Sequence, residues 1–162
     1  MTVWLIGFMG SGKSCIGELL ATRLGYDFVD SDVRISQEVG LSVDAIFSLY
    51  GSAHFRNLEA QCIAGLDTRS HCVVATGGGM PIYNALGAGV VCYLQADFEV
   101  LHARLLQDDL SRPLFKSKEA LYRLYVERAP LYAHLAQYTI NANQPPPQVV
   151  AQILKVLDQD KL

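Results

Sequence analysis

Residues 3–14 read VWLIGFMGSGKS, an apolar run that leads directly into a glycine-rich loop. The loop has the pattern Gly-x-x-x-x-Gly-Lys-Ser from Gly7 to Ser14, and apolar residues at helical spacing follow it. Glycines permit backbone conformations closed to other residues, and N–H groups at a helix N-terminus attract anions. Lys13 is therefore predicted to reach the β- and γ-phosphates of a nucleotide, and the Ser14 hydroxyl to bind Mg²⁺. The alternative is a glycine-rich turn between a strand and a helix.

The composition is typical of one well-packed domain spanning residues 1–162. Of the 162 residues 51% are apolar and 18% are charged, and the net charge is −3. These values give no reason to expect nucleic acid or a membrane surface as a partner, and the apolar opening is too short to span a membrane. The four cysteines show no CxxC spacing and lie in apolar stretches. They are predicted to be buried, reduced thiols in a cytoplasmic protein rather than a zinc site or a disulfide framework.

Short apolar strands alternate with helical segments along the chain. The predicted strands lie near residues 3–6, 26–29, 72–75, 90–94 and 138–140. This alternation predicts an α/β sandwich around a parallel sheet. Ligands of such sheets bind beyond the carboxyl ends of the strands, so the segments 7–14, 30–32 and 76–79 are expected to converge on one crevice. The helical segment of about 33–62 is longer than one crossover needs, and we interpret it as a lobe that covers a second substrate.

Two carboxylates, Asp30 and Asp32, directly follow the second predicted strand. Phosphoryl transfer needs Mg²⁺ near the β- and γ-phosphates and a group that orients the attacking hydroxyl or takes its proton. Two carboxylates two residues apart can divide those tasks. The alternative is an acidic turn that caps the next helix.

A wall for a small ligand is predicted around Arg56. Glu59 follows Arg56 at a spacing that lets the carboxylate hold the guanidinium on one helix face, although a surface pair of little energetic value has the same spacing. Phe47 and Phe55 would line this wall or belong to the core. The glycines at 77–79 allow a close backbone approach to a ligand, or form a flexible turn.

Two further arginines lie where they can reach the crevice. Arg112 lies in the polar stretch 107–118, which is predicted to be a mobile lid that brings a cation to the transferring phosphoryl group. Arg128 marks a predicted break between helices at 118–127 and 131–136. The alternative for either arginine is a solvated surface charge.

Taken together in this order, the motifs resemble those of the shikimate kinase family. The matching segments are Gly7-x-x-Gly10-x-Gly12-Lys13-Ser14, Asp30-Ser31-Asp32, Phe55-Arg56-x-x-Glu59, Gly77-Gly78-Gly79, Arg112-Pro113-Leu114 and Arg128-x-Pro130-Leu131-Tyr132. The resemblance implies a nucleoside-monophosphate-kinase-like fold with a five-stranded parallel sheet, a substrate lobe and a lid. It also implies that ATP phosphorylates the 3-hydroxyl of shikimate, giving shikimate 3-phosphate and ADP in the pathway to chorismate and the aromatic amino acids.

The resemblance implies a set of nucleotide contacts. These are Gly10, Ser11, Gly12, Lys13, Ser14, Cys15, Arg104 and Arg112. Ser14 and Asp30 would hold one Mg²⁺, and Arg104 would stack on the adenine. Lys13 and Arg112 would act in catalysis.

The resemblance likewise implies a set of shikimate contacts. These are Asp32, Phe47, Phe55, Arg56, Gly77, Gly78, Gly79 and Arg128. Asp32 would be the catalytic base, and Arg56 and Arg128 would grip the carboxylate, for which the guanidinium fork is suited. ATP and shikimate are the expected small-molecule partners, with a monomeric protein.

The sequence departs from the family pattern in the lid, where Asp108 and Asp109 are unexpectedly acidic, and after Gly51, where Ser52 replaces the usual Glu. Two alternatives stay open. A gluconate kinase shares the phosphate loop but need not keep Arg56, the glycine triplet and Arg128 together. The other is a catalytically silent nucleotide-binding protein.

Overall fold

Five parallel strands form the centre of the computed structural model, which describes residues 1–66, 71–107 and 117–160. The strands are β1 Thr2–Ile6, β2 Asp27–Asp30, β3 Cys72–Ala75, β4 Val90–Gln95 and β5 Tyr138–Asn141. Their order in the sheet is β2-β3-β1-β4-β5, and every neighbouring pair is parallel. The predicted α/β fold around a five-stranded parallel sheet is confirmed.

Helices flank both faces of this sheet. They are α1 Lys13–Leu24, α2 Ser31–Val39, α3 Val43–Tyr50, α4 Ser52–Leu66, α5 Met80–Tyr83, α6 Phe98–Gln107, α7 Lys118–Leu135 and α8 Pro146–Asp160. Side chains that favour helix starts cap several of them: Ser42 accepts a hydrogen bond from the Ala45 amide, and Ser117 accepts one from the Ala120 amide. No helix in the described ranges is both long enough and apolar enough to cross a membrane.

The central strand separates two apolar clusters because its side chains alternate between the faces of the sheet. Val3 and Leu5 pack with buried residues of α1, α6, α7 and α8. Trp4 points the other way and packs with buried residues of α2, α3 and α4. Its indole N–H donates to the Ala88 carbonyl at 3.2 Å, so the largest fully buried side chain also has its polar atom satisfied. The helices between β2 and β3 therefore share their core with the sheet.

The predicted helix break at Arg128 is wrong. Helix α7 continues from Lys118 to Leu135 with Pro130 in its interior. Proline deprives the Val126 carbonyl of its usual helical donor, which weakens the helix at this point. Leu121 and Tyr132 are buried before and after the proline, so packing against the sheet holds both halves in one helix.

The prediction of four buried thiols is also wrong at one position. Cys62, Cys72 and Cys92 are buried, but Cys15 is exposed. The buried face of α1 carries Ile16 and Leu20, and a residue one position earlier points about 100° away from that face. None of the four cysteines, all of which lie in the described ranges, forms a disulfide.

Candidate active site

A cleft of about 950 Å³ opens beyond the carboxyl ends of β1, β2 and β3. The predicted site residues that line it are Gly10, Gly12, Lys13, Ser14, Cys15, Asp30, Asp32, Phe47, Phe55, Arg56, Gly77, Gly78, Gly79, Arg104 and Arg128. Ser11 is buried within the phosphate loop. Arg112, Asp108 and Asp109 lie outside the described residues, as does most of the predicted lid. The structure thus brings the three polar segments to one place.

The phosphate loop lies between β1 and α1 at one end of this cleft. Gly10 and Gly12 have φ angles of 85° and 92°, a region that other residues enter only with strain. Lys13 Nζ donates to the carbonyl oxygens of Gly7 at 2.6 Å and Phe8 at 3.1 Å. The loop therefore presents an ammonium group and a helix N-terminus to the same volume, which is an arrangement suited to phosphate oxygens.

Asp30 joins the phosphate loop to the second strand. One of its carboxylate oxygens accepts a hydrogen bond from the Ser14 hydroxyl, and the other accepts one from the Val33 amide at 3.2 Å. The alternative that Asp30 caps the next helix is thus correct for one of its oxygens, while its other oxygen contacts Ser14 beside the phosphate loop. Hydroxyl and carboxylate oxygens are ligands that Mg²⁺ binds. Among the described residues no group of three or more His, Cys, Asp and Glu side chains is placed to hold a metal ion.

Arg104 reaches the cleft from α6 and is held by backbone oxygens. Its guanidinium donates to the Ala142 carbonyl at 2.7 Å and to the Gly10 carbonyl at 3.4 Å. These contacts connect the phosphate loop with the segment that follows β5, and they place a planar cation at the edge of the loop.

The glycine triplet after β3 makes room for three charged side chains in a row. A Cβ atom built on Gly77 would lie 2.5 Å from Asp32 Oδ1, and one on Gly79 would lie 2.6 Å from Arg56 Nη2. At Gly78 the nearest atom would be Arg128 Nη1, at 3.3 Å. Of these three described glycines none has a positive φ angle. Space for side chains, rather than backbone freedom, is therefore what the triplet provides.

Arg56 is held by a buried carboxylate. Its Nη1 donates to Glu59 Oε1 at 2.6 Å, and the Glu59 side chain is only 1% exposed. Asn84 donates to the same oxygen at 3.2 Å. Burial raises the pKa of Glu59, although the hydrogen bond and the charge of Arg56 oppose that rise. This is a partly buried ion pair with its carboxylate in the core, and not the surface pair that the sequence also allowed, so the guanidinium is held in place.

Arg128 and Tyr132 lie one turn apart on α7 and meet the middle of the triplet. The Tyr132 hydroxyl donates to the Gly78 carbonyl at 2.6 Å. Burial raises the pKa of Tyr132 to about 12, and the nearby Arg128 only partly offsets that rise. The hydroxyl therefore stays protonated at neutral pH and connects the helix that carries Arg128 to the glycine loop.

Sequence reasoning missed the contacts that Asn84 and Tyr132 make in the site. Tyr132 lies within a motif that was recognised, but its burial cannot be deduced from spacing in a helix thought to be broken. Asn84 directly follows α5, a helix of four residues that is too short to show a periodic pattern. The usable signal is Pro81, one residue beyond Met80 after the glycine run, because proline is favoured in the first turn of a helix.

Known proteins resemble this chain over nearly its whole length. The family model described as shikimate kinase matches residues 9–158. A shikimate kinase of Gloeobacter violaceus is 41% identical, over 97% of this chain and 92% of that protein. The solved shikimate kinase from Acinetobacter baumannii in complex with shikimate is 33% identical with a TM-score of 0.87, covering 99% of this chain and 94% of that one. A gluconokinase from Sinorhizobium meliloti is 18% identical with a TM-score of 0.57, covering 98% and 91%, a likeness of fold alone.

Proposed function

Because this chain belongs to the shikimate kinase family, we propose that it transfers the γ-phosphoryl group of ATP to the 3-hydroxyl of shikimate. The products are shikimate 3-phosphate and ADP, on the route to chorismate and the aromatic amino acids. The observation that supports this most strongly is the row of Asp32, Arg128 and Arg56 along the glycine triplet, in the same cleft as Lys13. One end of the cleft suits a triphosphate, and the other suits a hydroxylated carboxylic acid.

The two guanidinium groups would bind the shikimate carboxylate. Arg56 and Arg128 lie against consecutive glycines, so both forks can reach one anion. The rings of Phe47 and Phe55, whose centroids are 4.5 Å apart, would cover the apolar side of the acceptor. Gripping the carboxylate would hold the ring in one orientation, which is how an enzyme lowers the entropic cost of bringing two reactants together.

Asp32 is the proposed base. Its carboxylate lies over Gly77, at the start of the triplet and within the cleft. In the proposed reaction the 3-hydroxyl oxygen forms a bond to the γ-phosphorus while the bond to the β–γ bridging oxygen breaks. The hydroxyl proton passes to Asp32, and ADP leaves with the bridging oxygen.

The nucleotide would lie along the phosphate loop. The amides around Gly10 and Gly12, with Lys13, would bind the phosphate oxygens and offset the negative charge that develops during transfer. Ser11 and Cys15 belong to the same loop and helix start, and Arg104 would stack on the adenine from α6. Arg112 is proposed to reach the γ-phosphoryl group from the lid, at about 107–118.

Ser14 and Asp30 are the proposed protein ligands of one Mg²⁺. Their oxygen atoms already contact each other beside the phosphate loop, so a small hard cation would find two suitable donors there. When bound, the ion would neutralise charge on the β- and γ-phosphate oxygens. Asp30 would keep its second oxygen on the Val33 amide and so fix the carboxylate.

We further propose that residues 1–162 form one kinase domain in which the segment 33–62 acts as the substrate lobe. A cytoplasmic monomer without nucleic acid or membrane partners fits the net charge of −3 and the reduced cysteines.

ADP release with different acceptors tests the proposed function. With Mg²⁺ and ATP we expect turnover with shikimate and background rates with gluconate, because gluconate lacks the rigid ring that would pack against Phe47 and Phe55. Turnover with gluconate alone would identify the other kinase, and no turnover with either acid would favour a silent nucleotide-binding protein.

Replacing Gly79 with alanine is expected to weaken shikimate use without unfolding the protein. The added Cβ would lie 2.6 Å from Arg56 Nη2, and a flexible side chain can move away more cheaply than backbone can. A guanidinium moved by about 1 Å would lower kcat/KM for shikimate on the order of 10²-fold. Steady-state kinetics with each substrate varied would show this, with the KM for ATP nearly unchanged.

Gly65→Ala is the matched control for this variant. A Cβ at Gly65, also a glycine outside the phosphate loop, would meet no atom within 4 Å. Gly65→Ala should keep normal kinetics, and equal behaviour of the two variants would refute the idea that the triplet makes room for Arg56.

A further inference from the structure

The last residue of helix α5, Tyr83, contacts Arg56. The Tyr83 ring lies 4.2 Å from Arg56 Cζ, closer than the rings of Phe55 at 5.4 Å and Phe47 at 5.7 Å. Phe47 and Phe55 both line the cleft, but Tyr83 is not among the described residues that line it. Tyr83 therefore touches the guanidinium without being placed to touch the acceptor.

The next residue, Asn84, contacts the other half of the ion pair. Its side-chain amide donates to Glu59 Oε1 at 3.2 Å and to the Met80 carbonyl at 3.3 Å. Met80 is fully buried, so this short helix is anchored in the core. Two consecutive side chains at the end of one anchored helix thus hold Arg56 and Glu59 together.

We propose that Tyr83 is a positioning residue that fixes the Arg56 guanidinium for the shikimate carboxylate. An aromatic face within about 6 Å of a guanidinium attracts it, and the flat ring restricts the rotation of the fork. A cation ordered before binding loses less conformational entropy when the acceptor arrives. This inference rests on the proposed role of Arg56 in binding the carboxylate.

Kinetics of Tyr83→Ala and Tyr83→Phe test the proposal. Removing the ring should raise the KM for shikimate about 3- to 10-fold, the effect of one partly exposed cation–aromatic contact. The KM for ATP and the melting temperature should stay unchanged, because the side chain is 60% exposed and away from the phosphate loop. Tyr83→Phe keeps the ring and should restore the wild-type KM.

Tyr122→Ala is the matched control. Tyr122 is 51% exposed and packs on Phe98 at 5.0 Å between ring centroids, so its removal also deletes an exposed aromatic contact. We expect normal kinetics from it. The inference would be overturned if Tyr83→Ala left the KM for shikimate unchanged or raised the KM for ATP equally. It would also be overturned if Tyr83→Phe were as impaired as Tyr83→Ala.

Failure of the proposed function would look different. In that case wild-type protein would show no turnover with shikimate, or Arg56→Ala would use shikimate normally. If the wild type is active, Arg56→Ala is impaired and Tyr83→Ala is normal, only the inference about Tyr83 is refuted.

Discussion

Lys13→Met is expected to remove turnover while the fold stays intact. The Lys13 ammonium donates to the carbonyl oxygens of Gly7 and Phe8 in the phosphate loop, and we propose that it binds phosphate oxygens there. Methionine keeps the length of the side chain but cannot balance developing negative charge. Losing one such preorganised group lowers kcat by about 10²- to 10³-fold. ADP release gives the rate, and circular dichroism with a thermal melt shows whether the fold is kept.

Lys155→Met serves as the control for that variant. Lys155 is exposed on α8 and does not line the cleft in the described part of the chain, so its replacement should leave turnover and stability close to wild type. Near-normal activity of Lys13→Met would count against a phosphate-binding role for the loop.

Arg56→Ala is expected to abolish measurable shikimate binding while ATP binding survives. The variant would lose the proposed charge-assisted, two-pronged contact with the carboxylate, which should weaken affinity by about 10²-fold or more. It also leaves Glu59 buried without its cation, a change that costs about 3–5 kcal/mol when the carboxylate stays ionised. Because burial already raises the pKa of Glu59, protonation can relieve part of that cost. Calorimetric titration with shikimate and with ATP measures the affinity for each substrate separately.

Two further variants make the Arg56 result interpretable. Arg56→Lys keeps the positive charge beside Glu59 but lacks the fork, so stability should largely return while shikimate affinity stays low. Arg123→Ala removes an exposed arginine of α7 and should change neither the stability nor the shikimate affinity. Unchanged shikimate affinity in Arg56→Ala would defeat the assignment of this arginine to the carboxylate.

Local chemistry explains how much of the fold the sequence predicted. A strand followed by Gly7 to Ser14 has few structural solutions, because Gly10 and Gly12 need φ angles that other residues avoid. Continuous apolar strands indicate a sheet buried on both faces. The predicted break at Arg128 was wrong because the burial of Leu121 and Tyr132, on either side of it in α7, depends on tertiary packing.

The candidate site was predictable where one residue type determines the chemistry. Lys13, Asp32 and Arg56 lie in motifs that few other functions require. The reason for the glycine triplet was not predictable, because a flexible turn and a space for three side chains look the same in sequence. The contacts of Tyr83 and Asn84 depend on where a four-residue helix packs, and no spacing rule reports that.

We propose that Arg56 and Arg128 bind the shikimate carboxylate at the end of the cleft opposite the phosphate loop. Changing the acceptor tests this proposal most directly. ADP release would be compared between shikimate and shikimamide, whose neutral amide is close in size to the carboxylate. We predict turnover with shikimate and a kcat/KM lower by about 10²-fold or more with the amide, because two charge-assisted contacts are lost. Equal kcat/KM values for the two acceptors would contradict the account.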